Sequence, residues 1–477
     1  MWVARRQLRE VYAALDAAET YGAWSLAADE HDRITGASAW RADDHSELYD
    51  VAALRASLAR LTRLRERGDG LGLAATMTED LYRNLNDLVA PALYTTALGG
   101  TKHLVERYLD EVDACLRWLA RADTPGLSPK DVLVRFEAAW EVFGHSALLL
   151  SGGATLGFHH LGVCKALHEL DLLPHILSGA STGAMIAAGV CARDKAGLDR
   201  MFSHTEDLRL DGLKPTGPLK AAASRAILDP EQLYAVLKHN IGDCTFAEAF
   251  ARSGRSLAIS VSPTRMRQKP RLLTWRTSPE VLVARAALAS SALPGLFPPV
   301  ELEARSRAGV DVPYIPGERW VDGSIYGDLP MRRLSRLFNV NHFVVSQTNP
   351  HVLPFVRHHG RSGVMPAVLG LASATILRQG QLAADVGRRV TPGQGAAKWA
   401  ERVHAMFTQE YAGDIDIHPE FSWRLYAKVV ANPSRTDLAR FLRSGERAVW
   451  PRVAMIRAQT RLGRVFRECV EELRARA

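Results

Sequence analysis

Three short segments of the chain hold residue types that could do covalent chemistry together. The first is Gly179-Ala180-Ser181-Thr182-Gly183, which follows an apolar run from Leu173 to Leu177 that reads as strand and precedes a helical stretch, Thr182 to Arg193. A serine on a sharp strand-to-helix turn, with small neighbours such as Gly179 and Gly183, stands with its hydroxyl exposed above the sheet, ready to act as a nucleophile. The alternative is a serine that only caps a helix; the strand-turn-helix placement favours the nucleophile. The second segment, Gly152-Gly153-Ala154-Thr155-Leu156-Gly157, follows the apolar run Ala147 to Leu150 and opens another helix. Glycines there let backbone N–H groups converge beside the positive end of a helix dipole. Such a nest holds an anion, either a phosphate or the oxyanion of an acyl-transfer intermediate. It lacks both the Lys-Ser/Thr ending of a P-loop and the G-x-G-x-x-G of a dinucleotide site. The third is Trp320-Val321-Asp322-Gly323-Ser324. Asp-Gly by itself marks a plain turn, but a serine nucleophile needs a base within hydrogen-bond reach. A buried aspartate can serve without an intervening histidine.

A histidine triad stays open on these residues. Downstream of Ser181 lie His204, His239, His342, His351, His358, His359, His404 and His418, and none stands in a glycine-flanked loop that singles it out. His159 and His160 adjoin the first glycine loop, where lining the site and plain packing are the two alternatives. No set of carboxylates, cysteines or histidines has metal-ligand spacing, so neither a metal nor another cofactor is called for.

The elements that must position these groups follow from periodicity. Residues 1–145 repeat apolar side chains at helical spacing, as in Leu8, Val11, Tyr12 and Leu15 and again in Leu54, Leu58, Leu61 and Leu64. Gly68-Asp69-Gly70 and Gly99-Gly100 mark turns between these runs. From about 146, short apolar runs (147–150, 173–177, 257–261 and 342–345) alternate with helical stretches such as Phe158 to Leu172. That alternation is the pattern of an α/β domain with a parallel sheet. Beyond about 350 the chain reads as helical, closing with a charged helix from Val453 to Arg476. At 477 residues, more than one structural unit is expected.

Composition narrows the classes. The chain is 47% hydrophobic and 23% charged, with a formal net charge of +8, which favours acidic surfaces such as anionic lipid; a plainly solvated arginine-rich surface is the alternative. No helix-turn-helix, zinc-like spacing or basic-aromatic stripe points to nucleic acid. Five widely spaced cysteines without a C-x-x-C fit reduced thiols and a cytoplasmic setting. The opening residues lack the apolar run of a signal peptide. The longest uncharged apolar stretch, Val364 to Leu377, is 14 residues long and contains Pro366. It is too short to span a bilayer, leaving a segment that lies in the lipid interface or covers the pocket, where charge at Val368 or Leu371 would cut binding, or else a core helix.

Taken together, a Gly-Gly-x-x-x-Gly loop about 28 residues before a G-x-S-x-G, with an Asp-Gly pair far downstream, resembles the patatin-like phospholipases. The resemblance implies a Ser181–Asp322 dyad, an oxyanion hole from Gly152, Gly153 and Ala154, and a Gly157 that allows close helix packing. Ser290 to Pro299 is similar to a Ser-x-Ala-x-Pro-x-x-Phe segment that shapes the pocket in that family. Two positions depart from the common pattern: Leu156 stands where many members carry Arg or Lys, and Ser324 where many carry Gly or Ala. Both departures fit the branch of triacylglycerol lipases of lipid droplets and their bacterial relatives. That branch is also resembled by Thr20 to Trp24, Trp40, Tyr49-Asp50, Gly100 to Lys102, Arg333 to Pro350, Gly413 to Ile415 and Gly445 to Pro451.

The expectation is therefore an α/β fold, a patatin-like parallel-sheet domain over 146–350 between an N-terminal helical (DUF3336-type) region, 1–145, and a C-terminal helical region, 351–477. The implied activity is hydrolysis of acyl esters of neutral lipid through an acyl-enzyme, the alternatives being a phospholipase or lysophospholipid acyl hydrolase, a transacylase, or a non-catalytic lipid-surface protein. Its expected partner is lipid at a membrane or droplet surface, with peripheral attachment and no nucleic acid.

Overall fold

The structure, a computed structural model, describes residues 2–82, 88, 90–121, 127–224, 226–265, 268–350, 352, 412–420 and 429–476. The apolar run Val364 to Leu377 lies outside the described residues, as do His351, His358, His359 and His404. Two compact units divide the chain. Met1–Ser146, Ser335–His342 and Val449–Ala477 make one; Ala147–Leu334 and Phe343–Ala448 make the other.

The first unit is helical, as its periodicity predicts: α1 (Trp2–Ala17), α2 (Tyr21–Thr35), α3 (Ala37–Ala42), α4 (Val51–Glu66), α5 (Gly70–Tyr82), α6 (His103–Arg121) and α7 (Pro129–Phe143). The C-terminal helix, Val453–Arg476, packs on α6 and α7. In α6, Leu104, Tyr108, Val112, Cys115 and Leu119 recur every three or four residues and are buried, the stripe of an amphipathic helix. They belong to the same core as Phe466, whose ring meets Phe136 edge-on at 5.8 Å. Each fully buried Leu or Phe of this kind contributes roughly 1.5–3 kcal/mol. Charge sits at the rim: Arg461 bonds Asp113 at 2.8 Å, and Arg117 reaches the same carboxylate at 2.6 Å. A capping box between Ser128 and Asp131 starts α7.

The second unit is built on the sheet, with β1 (His145–Leu150), β2 (Ile176–Gly179), β3 (Ser256–Pro263), β4 (Arg271–Thr274), β5 (Glu303–Arg305), β6 (Asp311–Pro313), β7 (Trp320–Asp322), β8 (Val340–Ser346) and β9 (Ile415–Ile417). Its helices include α8 (His159–Glu169), α9 (Thr182–Cys191), α10 (Lys195–Ser203), α11 (Pro218–Ser224), α12 (Pro230–Ile241), α13 (Phe246–Ser253) and α14 (Val283–Ser290). Strand order is β4-β3-β2-β1-β8-β9, with β7 also on β3 and a separate β5–β6 pair. The α/β expectation holds, and β1/β2, β2/β3 and β8/β9 are parallel. Two features differ from it. The sheet is mixed, because β4 and β7 run antiparallel to β3. One strand, β9, comes from beyond residue 350, in a stretch whose sequence reads as helical. The run at 173–177 also shifts: the strand is Ile176–Gly179, since Pro174 has no N–H to give a ladder. Along β3 every residue is buried, as expected for a strand covered on both faces.

Candidate active site

β3 is the element that brings distant segments together. Parallel β2 follows it as far as the pair Gly179↔Ile259. Two residues further on, Val261 pairs with Arg271 of β4 and with Asp322 of β7. One residue has only two ladder edges, so β4 and β7 lie on opposite sides of β3, and β7 takes the edge that β2 leaves. Asp322 thus arrives about 7 Å along the strand from where the Ser181 turn departs.

The turn is strained where the serine sits. Ser181 has φ 51° and ψ −125°, in the region that side chains avoid, a cost on the order of 1–3 kcal/mol held by its surroundings. Gly179 and Gly183 make the turn possible: a Cβ on Gly179 would meet the Gly183 carbonyl oxygen at 2.3 Å, and one on Gly183 the Leu150 carbonyl oxygen at 2.2 Å. Ser290, at the end of α14, clamps both catalytic candidates. Its hydroxyl accepts from the Ser181 N–H at 3.0 Å, its carbonyl accepts from Gly323, and the Ala292 carbonyl accepts from the Asp322 N–H at 3.1 Å. The 290–299 segment, expected to shape the pocket, therefore also fixes the distance between Ser181 and Asp322.

Asp322 is buried, and burial pushes its carboxyl up to about 6 against the opposing hydrogen bonds of Ser324 and of the Ser181 hydroxyl. Both Ser324 bonds, from its N–H at 2.8 Å and its hydroxyl at 2.7 Å, fall on Oδ1. The departure at 324 thus supplies a donor that Gly or Ala would lack.

The glycine loop is arranged differently from expectation in one respect. Gly152 does not offer its N–H to the cavity; it donates to Asp328 Oδ1 at 2.8 Å. Gly153 and Ala154 line the cavity beside Ser181, and among the described residues their amides have no hydrogen-bond acceptor. Ala154 is held at φ 46°, a second strained residue at this point. Gly157 packs against Thr182, where a Cβ would meet the Thr182 Cβ at 2.6 Å, and the Thr182 hydroxyl donates to the Ala154 carbonyl at 2.8 Å. Leu156, the other departure, is buried against Phe441 and Phe158.

Asp328, which no sequence motif marks, and Thr348, which lies within the resembling Arg333-to-Pro350 stretch, hold this loop. Asp328 is buried, and burial together with the charge of Asp322 pushes it up to about 7. It also accepts from Asn349 Nδ2 at 2.6 Å, and Asn349 lines the cavity. Thr348 donates its N–H to Ser151 Oγ and its hydroxyl to the Gly152 carbonyl. Only the Ser346-to-Pro350 resemblance hinted at this segment.

Among the described residues no histidine lines the cavity. His160 is fully buried behind the loop, bonded to Ser346 Oγ at 2.7 Å, the Ser151 carbonyl and Thr348, and burial lowers its pKa to about 4. His159 meets Ser444. Both have the packing role.

The cavity that Ser181 and Asp322 share holds about 300 Å³ and is walled by side chains such as Met185, Leu233, Val236, Leu237 and Phe297. An apolar cleft ending at a few convergent polar groups suits a ligand with one polar centre and a long apolar part. Among the described residues, no group of three or more His, Cys, Asp or Glu is placed to hold a metal ion.

Residues 1–140 match DUF3336, a domain of unknown function, and residues 148–334 match the patatin-like phospholipase family. The chain is similar to the triacylglycerol lipase SDP1L of Arabidopsis thaliana, 34% identical over 96% of this chain and 58% of that one. Triacylglycerol lipase ptl3 of Schizosaccharomyces pombe is 32% identical over 94% of each chain. Triacylglycerol lipase 4 of Saccharomyces cerevisiae is 30% identical over 94% of this chain and 51% of that one. The chain thus spans nearly all of the fission yeast relative and a little over half of the other two. With that end-to-end likeness, and with the family's match lying on the segment that carries the glycine loop, Ser181 and Asp322, the chain belongs to the patatin-like phospholipase family.

Proposed function

We propose that this lipid ester hydrolase cleaves the acyl esters of neutral lipid, triacylglycerol above all, through a Ser181–Asp322 dyad and a covalent acyl-enzyme. The observation that carries the reading is the meeting of a strained serine and a buried, raised aspartate in the wall of one apolar cavity. Ser181 Oγ attacks the ester carbonyl carbon while its proton passes to Asp322. Because Ser324 occupies Oδ1, Oδ2 is the oxygen left for that proton. The carbonyl oxygen becomes an oxyanion facing the Gly153 and Ala154 amides, a stabilisation commonly worth about 2.7–4 kcal/mol per donor. Collapse expels the alcohol, which takes the proton from Asp322. Water then gives its proton to Asp322, attacks the acyl-enzyme, and releases fatty acid and free serine. A base whose pKa is near 6 is ionised at neutral pH yet basic enough to accept the proton.

The apolar wall supports an acyl chain as the bound part, and the names of the relatives support triacylglycerol as its source. The test gives purified protein triolein, phosphatidylcholine and lysophosphatidylcholine side by side and measures released fatty acid. Triolein should be hydrolysed fastest. Faster release from either phospholipid makes the protein a phospholipase instead, acyl transfer to an added lipid alcohol makes it a transacylase, and no release from any of them ends the enzymatic reading.

No described helix is long and apolar enough to cross a membrane. With a net charge of +8, peripheral docking on an anionic lipid surface is the mode of access we propose. Flotation with anionic vesicles should be strong at low salt and weaken as salt rises; salt-independent flotation would rule out the electrostatic part.

A further inference from the structure

The acyl cavity runs along one face of α9. Ser181, Met185 and Gly189 line it at intervals of four residues, so it follows the helix for about 12 Å at 1.5 Å per residue. The next residue in that series, Arg193, no longer faces it. Arg193 lines a second cavity of about 330 Å³ whose other walls include Arg200, His204, Asp207 and His239. Two cavities therefore follow each other along α9 and just past its end, the first walled mainly by apolar side chains and the second carrying arginine, histidine and aspartate in its walls.

Three residues, Met201, Leu208 and Asn240, belong to the walls of both. The partition is one side chain thick, and its backbone is pinned. Asn240 accepts the Arg209 N–H on Oδ1 at 2.9 Å and donates Nδ2 to the Arg209 carbonyl at 2.8 Å. Arg193 donates to the Gly189 carbonyl and to the Asn240 carbonyl, each at 2.7 Å. These bonds tie the end of α9, the end of α12 and the 208–210 segment together. Met201 comes from α10 and is 8% exposed, filling the remaining gap with an unbranched thioether.

We infer that Met201, Leu208 and Asn240 are the floor of the acyl cavity and set the length of acyl chain that reacts fastest. The inference rests on Ser181 being the residue acylated at the other end. A chain that fits between Ser181 and the floor gains apolar burial with each methylene. A longer one must buckle or push its end past the partition among arginine and histidine side chains, where that gain stops. Chain-length preference is then a property of one movable side chain, Met201, held between fixed neighbours.

Met201→Ala and Met201→Trp in the full chain test this with p-nitrophenyl esters from C4 to C18. The first variant joins the two cavities; the second fills the cavity end. The account expects kcat/KM for long chains relative to medium ones to rise about tenfold in Met201→Ala and to fall about tenfold in Met201→Trp, the range one or two methylenes command in an apolar pocket. A misfolded variant cannot give these opposite shifts. The same ester series on Ser181→Ala checks the underlying reading, and fatty acids of graded length competing for a fluorescent fatty acid on Ser181→Ala and on its two Met201 double variants check the floor without catalysis. Hydrolysis that survives in Ser181→Ala would overturn the nucleophile while the binding series still judges the floor. Length profiles of unchanged shape, or moved the same way by Ala and Trp, would overturn the floor.

Discussion

Asp32, in the helical unit, and Asp322, in the sheet unit, are buried almost alike, at 0% and 2% exposure. Their surroundings differ. Asp32 Oδ1 accepts the Leu98 N–H at 2.9 Å and Oδ2 the Gly99 N–H at 2.8 Å, with His31 Nδ1 at 3.2 Å. Both oxygens are occupied by backbone, and the carboxylate fastens the Gly99-Gly100 turn to α2. Asp322 takes both Ser324 bonds on Oδ1, and its remaining hydrogen bond comes from the Ser181 hydroxyl in the wall of an apolar cavity. Burial of a carboxylate is therefore not a signature of catalysis. What separates the two is whether the acceptor capacity is already spent on the fold.

The comparison breaks most visibly at Asp322. Asp322→Asn keeps the shape and removes the base, so kcat/KM should fall by about 10³–10⁴. Activity within tenfold of the parent would show that another group takes the proton. Asp32→Ala should do the reverse. It strands two backbone N–H groups at about 1–3 kcal/mol each, lowering the unfolding free energy by about 2–6 kcal/mol. Turnover per folded molecule should stay within about twofold. A large kcat loss without a shift in the denaturation midpoint would make Asp32 more than a fastener.

A third difference is the pH dependence of stability. Asp322 titrates near 6 in the folded chain against 3.8 ordinarily, so between these values the folded state binds more protons than the unfolded one. Stability from this group is full below about pH 4 and is lost as pH rises through about 6. The loss is on the order of 3 kcal/mol at 1.36 kcal/mol per pKa unit. Asp322→Asn should therefore melt higher than the parent at pH 8, with the gap closing toward pH 4. A variant that melts lower at both pH values would mean that the carboxylate stabilises the fold. The smallest effect belongs to Asp328, which positions rather than reacts. Asp328→Ala should lower kcat about ten- to a hundredfold with little change in KM, as the Gly152 turn loosens next to the Gly153 and Ala154 amides. Asp328→Asn, which keeps an acceptor for Gly152, should recover most of the loss. Equal losses in the two variants would show that the negative charge matters instead.

How much of this was legible in the sequence depends on range. The Ser181 turn, the glycine loop and the Asp-Gly pair are local patterns, and each has residue types that its backbone demands. Asp328 carries no such local mark, and the segments that hold Ser290 and Asn349 do not tell what these two bond, because the partners lie 21 to 176 positions away and the sheet decides the pairing. The partner of the Gly152 N–H is hidden for the same reason: it is a residue 176 positions downstream, which nothing in the glycine loop announces. β9 escaped notice because three residues are too few to show alternation. The antiparallel entry of β7 could not be inferred from runs that suggest a parallel sheet, yet it is what carries Asp322 to Ser181.

The most direct test of the dyad is covalent. Purified protein treated with a fluorophosphonate probe, digested and mapped by mass spectrometry should carry one adduct, on Ser181, formed at a rate that rises with pH through about 6 and falls by about 10³ or more in Asp322→Asn. An adduct on any other serine, or a rate that Asp322→Asn leaves unchanged, would contradict it.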